Sequence, residues 1–184
     1  LDKKFKTKFM NSEHEKLKNK FGKSVIFYEN LSKFSWFNLG GPAKILFKPE
    51  STEQLIEFLK FINNSYKITC LGAGSNTLVR DGGFNGIIIK LSSKFSFINR
   101  LDENILEVGA GTLDKTLSRY ATDNSISNFE FLSCIPGSLG GTIRMNSGCY
   151  ENEIANILIS INALELKGNL FEIKREDIKF NYRG

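Results

Sequence analysis

Leu71-Gly72-Ala73-Gly74-Ser75-Asn76-Thr77 is the stretch on which the fold turns. Residues 66–71 (Tyr-Lys-Ile-Thr-Cys-Leu) read as a strand that runs straight into these glycines. Glycine permits positive φ and lets the backbone approach a ligand closely. Consecutive N–H groups in such a turn form an anion-binding concavity, and Ser75 and Asn76 add side-chain donors. Two named phosphate motifs do not fit. A dinucleotide fingerprint needs a third glycine opening a helix, but position 77 is Thr and no helix is expected after it. A Walker-type loop needs Gly-Lys followed by Ser or Thr, which is absent. Taken alone, the segment reads equally well as a tight structural turn.

Working outward, the upstream residues Ile45-Leu46-Phe47 read as a short strand that ends before Pro49. Ser51 is placed to cap a helix, and Leu55, Phe58, Leu59 and Ile62 recur at helical spacing until Asn63-Asn64. Downstream, Asp81-Gly82-Gly83 is a turn and residues 87–91 a strand, so the region is βαβ-like. Residues 12–21 read as a helix with Ser12 as its cap, Glu15 three positions on, and Leu17 and Phe21 on one face. His14 is expected to be solvated on that helix.

After Ser92 the texture changes. Residues 95–99 and 105–108 read as paired strands, Thr112 as the cap of a helix reaching about Asn124, and residues 157–167 as a long strand. Gly168-Asn169 is a hairpin turn before a return strand over 170–174, and residues 174–178 form one helical turn. A boundary near 91–94 is expected, with residues 1–92 and 93–184 each forming an α+β unit.

The second region holds another unusual loop, Ser133-Cys134-Ile135-Pro136-Gly137-Ser138-Leu139-Gly140-Gly141-Thr142, followed by Asn146 and Ser147. Pro136 is suited to open a helix. Gly137, Gly140 and Gly141 leave one face of the turn bare, where a flat or charged ligand could meet exposed N–H groups. Close helix-to-sheet packing is the alternative. Two such loops in one short chain favour a large phosphate-containing ligand held along its length.

Composition narrows the class. The 184 residues include 16 Phe and are 41% hydrophobic and 24% charged, enough for a packed, aromatic-rich core. No apolar run is long enough for a membrane span. Three widely spaced cysteines argue against a disulfide framework, and Cys149 is expected to be a small packed residue. With one His and no close Cys pair, no metal site is expected. The net charge of +5 is concentrated in the N-terminal segment that carries Lys3, Lys4, Lys6, Lys8, Lys16, Lys18, Lys20 and Lys23, and without that segment the chain is close to neutral. That stretch reads as a solvated basic face, and no aromatic-basic RNA-binding motif accompanies it. The chain starts at Leu1 and stops at Asn181-Tyr182-Arg183-Gly184, as expected of a piece of a longer protein.

Five ordered motifs carry a resemblance. They are Trp36-Phe37-Asn38-Leu39-Gly40-Gly41-Pro42-Ala43, the stretch from Leu71 to Phe84, Glu130 through Gly141, Arg144-Met145-Asn146-Ser147-Gly148, and Phe180-Asn181-Tyr182-Arg183. Together they resemble the UDP-N-acetylenolpyruvoylglucosamine reductase family, in the type II branch with a shortened substrate domain. The resemblance runs from about residue 30 to the last residue. It implies the two-subdomain, α+β FAD-binding fold of the vanillyl-alcohol oxidase and p-cresol methylhydroxylase type. It implies NADPH-dependent reduction of UDP-N-acetylglucosamine enolpyruvate, a UDP-sugar enolpyruvyl ether, to UDP-N-acetylmuramate for peptidoglycan and cell-wall synthesis in the bacterial cytoplasm.

By that resemblance FAD binds non-covalently, with Leu71, Gly72, Ala73, Gly74, Ser75, Asn76 and Thr77 around its pyrophosphate. Ser133, Ile135, Pro136, Gly137, Ser138, Gly140, Gly141, Thr142 and Asn146 would meet its other side. Arg183 matches the family's active-site arginine, suited to a substrate carboxylate because a guanidinium binds bidentately and stays charged, and Tyr182 would orient that site. The family's proton-donating serine and catalytic glutamate lie beyond the Tyr-Arg motif. The chain is therefore expected to bind FAD without completing turnover, as a monomer with no nucleic-acid or membrane partner. A flavin-dependent oxidase of the same fold and a basic nucleic-acid-binding module are the competing readings. Cys134 stands where glycine is common in the family motif.

Overall fold

The computed structural model describes residues 12–180. Its centre is a four-stranded sheet built from β1 (Val25–Asn30), β2 (Pro42–Phe47), β3 (Ile68–Cys70) and β4 (Phe84–Ile89), in the order β1-β2-β4-β3. β1 runs antiparallel to β2, while β2, β4 and β3 are mutually parallel. Strands in a parallel sheet are covered on both faces and so read as continuous apolar runs. Alternation along β2 and β4 then divides the side chains. Ile45, Phe47, Ile87 and Ile89 face a core shared with Leu17 and Phe21 of α1 (Ser12–Phe21) and Phe58, Leu59 and Ile62 of α2 (Thr52–Ile62). Leu46 and Ile88 face a smaller core with Leu31, Ala43 and Leu71, against which Phe34 and Val79 pack. The Phe47 and Phe58 rings stack with centroids 3.6 Å apart.

α2 is the crossover from β2 to β3, with β4 lying between those two strands. It starts where expected, the Ser51 hydroxyl accepting from the Gln54 N–H at 3.2 Å, and stops at Asn63 in the left-handed region with φ of 42°. β2 is longer than read from sequence because Pro42 occupies its first position, where a missing N–H costs the ladder little.

A third core gathers Leu117, Phe131, Leu132, Leu139 and Ile154. They come from α3 (Asp114–Asp123), a short turn over Glu130–Cys134, α4 (Leu139–Met145) and a turn over Ile154–Asn156. The hairpin of β5 (Ile98–Asp102) and β6 (Ile105–Val108) closes over it through Ile98, Leu106 and Val108. β7 (Gly148–Cys149) and β8 (Asn152–Glu153) form a small ladder. β9 (Ser160–Leu164) and β10 (Leu170–Lys174) pair around the turn at Gly168, whose φ is +85°. Leu164 packs against the first core.

Several expectations are corrected. His14 is buried at 1% exposure, its ring 4.4 Å from that of Phe27, because it shares the inward stripe of α1 with Leu17 and Phe21. Ser12 is itself helical rather than the cap. Thr112 does not cap α3: Leu113 takes that position, and the Thr112 hydroxyl donates to the Phe97 carbonyl. Pro136 lies before α4 rather than at its first turn, with Ser138 at the cap position. The long strand over 157–167 is confined to β9. Among the described residues, no helix is long and apolar enough to cross a membrane, and no group of three or more His, Cys, Asp or Glu could hold a metal ion.

Candidate functional site

The three parallel strands end side by side: β2 before Lys48, β3 before Leu71-Gly72, and β4 before Lys90. Ligands of open sheets sit beyond such carboxyl ends. The chain there turns into residues 72–77. Leu71 closes the strand ladder, donating its N–H to the Ile89 carbonyl, and is buried in the second core.

From Gly72 onward the carbonyls are tied backward. Lys90 Nζ donates to Gly72 O at 2.7 Å. The Trp36 N–H donates to Gly74 O at 3.1 Å, and the Ser35 hydroxyl to Thr77 O at 3.2 Å. Among the described residues, no backbone N–H from Gly72 to Thr77 donates to a protein acceptor. A turn whose carbonyls are tied to protein donors and whose amides have no protein acceptor among the described residues suits an anion. Gly74 sets this geometry. Its φ is +77°, and a Cβ there would overlap the carbonyl oxygen of Phe34.

The second loop is made differently. Several of its N–H groups, expected to be exposed, are used within the protein. Ile135 N donates to Leu132 O, Leu139 N to Thr112 O at 2.8 Å, Gly140 N to Ala110 O at 2.9 Å, and Thr142 N to Ser138 O. The Gly137 carbonyl accepts from the Asp114 N–H at 3.2 Å, and Leu113 bridges Ser138 in antiparallel fashion. The Ser133 hydroxyl donates to Glu130 O at 2.7 Å. Asn146 is buried in the left-handed region, its Oδ1 accepting from the Ala155 N–H at 3.3 Å.

Beneath this loop lies a carboxylate. Asp114 is fully buried; its Oδ2 accepts from the Thr142 hydroxyl at 2.5 Å, and its Oδ1 has no hydrogen-bond partner. Burial pushes its pKa up to about 6, opposed by the Thr142 hydroxyl and the Gly137 N–H, which favour the charged form. Asp114, Thr112 and Ala110 were not read as site residues from sequence. The signal for Asp114 was an acidic residue opening a helix, which is normally explained by the helix dipole alone.

The two loops meet. A Cβ placed on Gly72 would lie 2.7 Å from Ser138 Oγ. The turn whose amides have no protein acceptor among the described residues and the turn whose Gly137 and Gly140 pack against Asp114, Thr142 and Ala110 are therefore neighbours in space, although Gly72 and Ser138 are more than sixty residues apart in sequence. Arg144, on α4, carries further contacts of its own. Tyr182 and Arg183 lie outside the described residues. Cys134 is exposed; burial pushes the Cys149 thiol up, reinforced by the Cys134 thiol beside it.

A family profile described as FAD binding domain matches residues 43–174, which takes in both loops. The chain belongs to this FAD-binding domain family.

Similar proteins narrow the comparison. A UDP-N-acetylenolpyruvoylglucosamine reductase of Pelagibacter ubique is 43% identical over 171 residues, covering 93% of this chain and 57% of that protein. The reductase of Rickettsia canadensis is 44% identical over 154 residues, covering 84% and 52%. A crystal structure of UDP-N-acetylenolpyruvylglucosamine reductase from Thermus caldophilus superposes with a TM-score of 0.71 at 30% identity, covering 86% of this FAD-binding domain and 55% of that chain. The chain thus spans about half the length of the relatives it matches.

Proposed function

We propose that this chain is the FAD-binding portion of a UDP-N-acetylenolpyruvoylglucosamine reductase. The whole enzyme would use NADPH to reduce UDP-N-acetylglucosamine enolpyruvate to UDP-N-acetylmuramate, a step of peptidoglycan precursor synthesis in the bacterial cytoplasm. The observation that carries this reading is the contact of Gly72 with Ser138, which joins the two glycine-rich turns into one cradle. The relatives that share more than two fifths of the sequence point the same way.

In this reading the amides of Gly72, Ala73, Gly74, Ser75, Asn76 and Thr77 hold the diphosphate of FAD. Ser133, Ile135, Pro136, Gly137, Ser138, Gly140 and Gly141 supply a surface for its other half. Thr142 and Asn146 act from behind, since the Thr142 hydroxyl is committed to Asp114 and the Asn146 amide oxygen to Ala155. FAD, when bound, supplies a centre that accepts and releases a hydride. The chain's own residues bind it, orient it and exclude water from one side. Arg183 would face the substrate carboxylate, where a permanently charged planar fork stabilises developing negative charge, with Tyr182 orienting it.

Two subdomains, residues 1–92 and 93–184, are proposed on the separation of the cores. The first two draw on residues 17–91 with Leu164 alone from beyond, and the third on residues 98–157. The partners proposed are small molecules, NADPH and the UDP-sugar, with the chain monomeric.

The test is the visible spectrum of the purified chain, repeated after adding FAD and removing the excess by gel filtration. Flavin co-eluting in equimolar amount, released intact on denaturation, is the expected result. A folded chain that retains no flavin would overturn the assignment of the cradle to these residues.

A further inference from the structure

We propose that Lys48 and Lys90 form the cationic floor of a diphosphate subsite at the first glycine turn, and that they set a preference for FAD over phosphate-free flavin. The inference rests on the reading of residues 72–77 as the turn that holds FAD.

Strand register brings the two lysines together. Phe47 and Ile89 are partners across the parallel β2–β4 pair, so Lys48 and Lys90 leave adjacent strand ends, and Lys90 N donates to Phe47 O at 2.9 Å. Each stands two positions beyond Leu46 or Ile88, which puts both lysines on the sheet face of the second core. Both ammonium groups converge on the Phe34 ring, Lys48 Nζ at 4.7 Å from its centroid and Lys90 Nζ at 5.7 Å. The same Phe34 supplies the carbonyl against which Gly74 is packed, and the same Lys90 holds the carbonyl of Gly72. The lysine pair and the glycine turn are thus one unit.

Its charge is unbalanced. Among the described residues neither lysine is in an ion pair. Burial, followed by the charge of Lys48, holds the Lys90 ammonium below its ordinary pKa. The ring face attracts each cation but leaves the two repelling one another. An ammonium has three donors, and Gly72 takes one from Lys90. Lys90 stands on the side of the turn that the Gly72 carbonyl faces, so a diphosphate at the amides meets the lysine charges across the turn from beneath, and its negative charges, about two, offset the repulsion between them.

The experiment measures binding of FAD, riboflavin and ADP to the chain and to Lys48→Met, Lys90→Met and Lys90→Arg at low and high salt. Methionine keeps the apolar stem on Phe34 and removes the charge. Each methionine variant is expected to lower FAD and ADP affinity roughly tenfold and to flatten their salt dependence. Riboflavin affinity should be unchanged, and Lys90→Arg should bind FAD as the parent does. Parallel loss of FAD and riboflavin, which marks a collapsed turn, would overturn the proposal. So would FAD affinity indifferent to both lysines, which leaves the flavin reading standing. Lysine-dependent binding of ADP in a chain that binds neither flavin supports the diphosphate subsite and sinks the flavin reading instead.

Discussion

The two glycine-rich turns touch each other but are built on opposite principles. In residues 72–77 the carbonyls are anchored by Lys90, Trp36 and Ser35, and no amide has a protein acceptor among the described residues. In residues 133–142 the amides of Ile135, Leu139, Gly140 and Thr142 are all donated within the protein, and a buried carboxylate lies behind. The same residue type therefore serves two ends. Glycine in the first turn frees the backbone to bind, whereas in the second Gly137 and Gly140 remove side chains so that the backbone packs against Asp114, Thr142 and Ala110. The first turn should be sensitive to backbone geometry and charge, the second to the stability of what lies beneath it.

The largest effect is expected from Gly74→Ala. A Cβ at φ of +77° is strained, and here it would strike the backbone carbonyl of Phe34, which has no flexible side chain to yield. The turn must move, at about 3 kcal/mol, and FAD affinity should drop on the order of a hundredfold. Fluorescence titration of FAD measures it. Affinity equal to the parent's would mean that the amides of this turn do not hold the cofactor.

Thr142→Val tests the second turn. It is close to isosteric but strips the hydroxyl from a fully buried carboxylate whose other oxygen already has no hydrogen-bond partner. A loss of about 2 kcal/mol in folding stability is expected in urea at neutral pH. The first turn should keep its response to salt, since its charges are elsewhere.

Much of this was available from residue order. Ser51, the apolar stripe of α2 and the Asn63 stop follow local rules of capping and periodicity, and the structure follows them. The hairpin ending at Val108 and the turn at Gly168 are likewise local, although the first strand of that hairpin runs over Ile98–Asp102 rather than residues 95–99, because Ser93–Phe95 makes a helical turn. What escaped was non-local. Thr112 resembles a cap because a hydroxyl before a helix usually is one, yet its partner is Phe97, fifteen residues back. His14 reads as polar until α1 is docked on the sheet and its stripe turns inward. The glycines were visible in both turns, but their opposite hydrogen bonding depends on Lys90, Trp36, Ala110 and Thr112, which only the fold brings near.

Asp114→Asn separates charge from packing in the second turn. Burial raises the folded-state pKa to about 6, above the ordinary 3.8 of the unfolded chain. Above pH 6 the carboxylate is charged in both states, and its burial weakens the fold. As pH falls from 6 toward 3.8 the folded state takes up the proton first, so this group adds stability over that window. Below it both states are protonated and the contribution is constant. Asparagine removes the titration, so the variant should be more stable than the parent at pH 7 by on the order of 1 kcal/mol, and the two should converge near pH 4. Thermal melts across that range decide it; parallel curves would place the titration on another group.

The smallest effect addresses the contact between the turns themselves. In Gly72→Ala the new Cβ would stand 2.7 Å from Ser138 Oγ, too close for either atom. Unlike the Phe34 carbonyl behind Gly74, however, a serine hydroxyl turns away at little cost, so a loss of only about 0.5–1 kcal/mol is expected. Ser138→Ala removes the obstructing oxygen and should restore most of that loss in the double variant. The double-mutant cycle then reads the contact directly, because residues that touch couple and residues further apart add. Additive effects would mean that the turns are separated in solution and that the cradle is not closed at this point. Coupling seen in the free chain and enlarged with FAD bound would show the cofactor drawing together two turns whose chemistry is otherwise unlike.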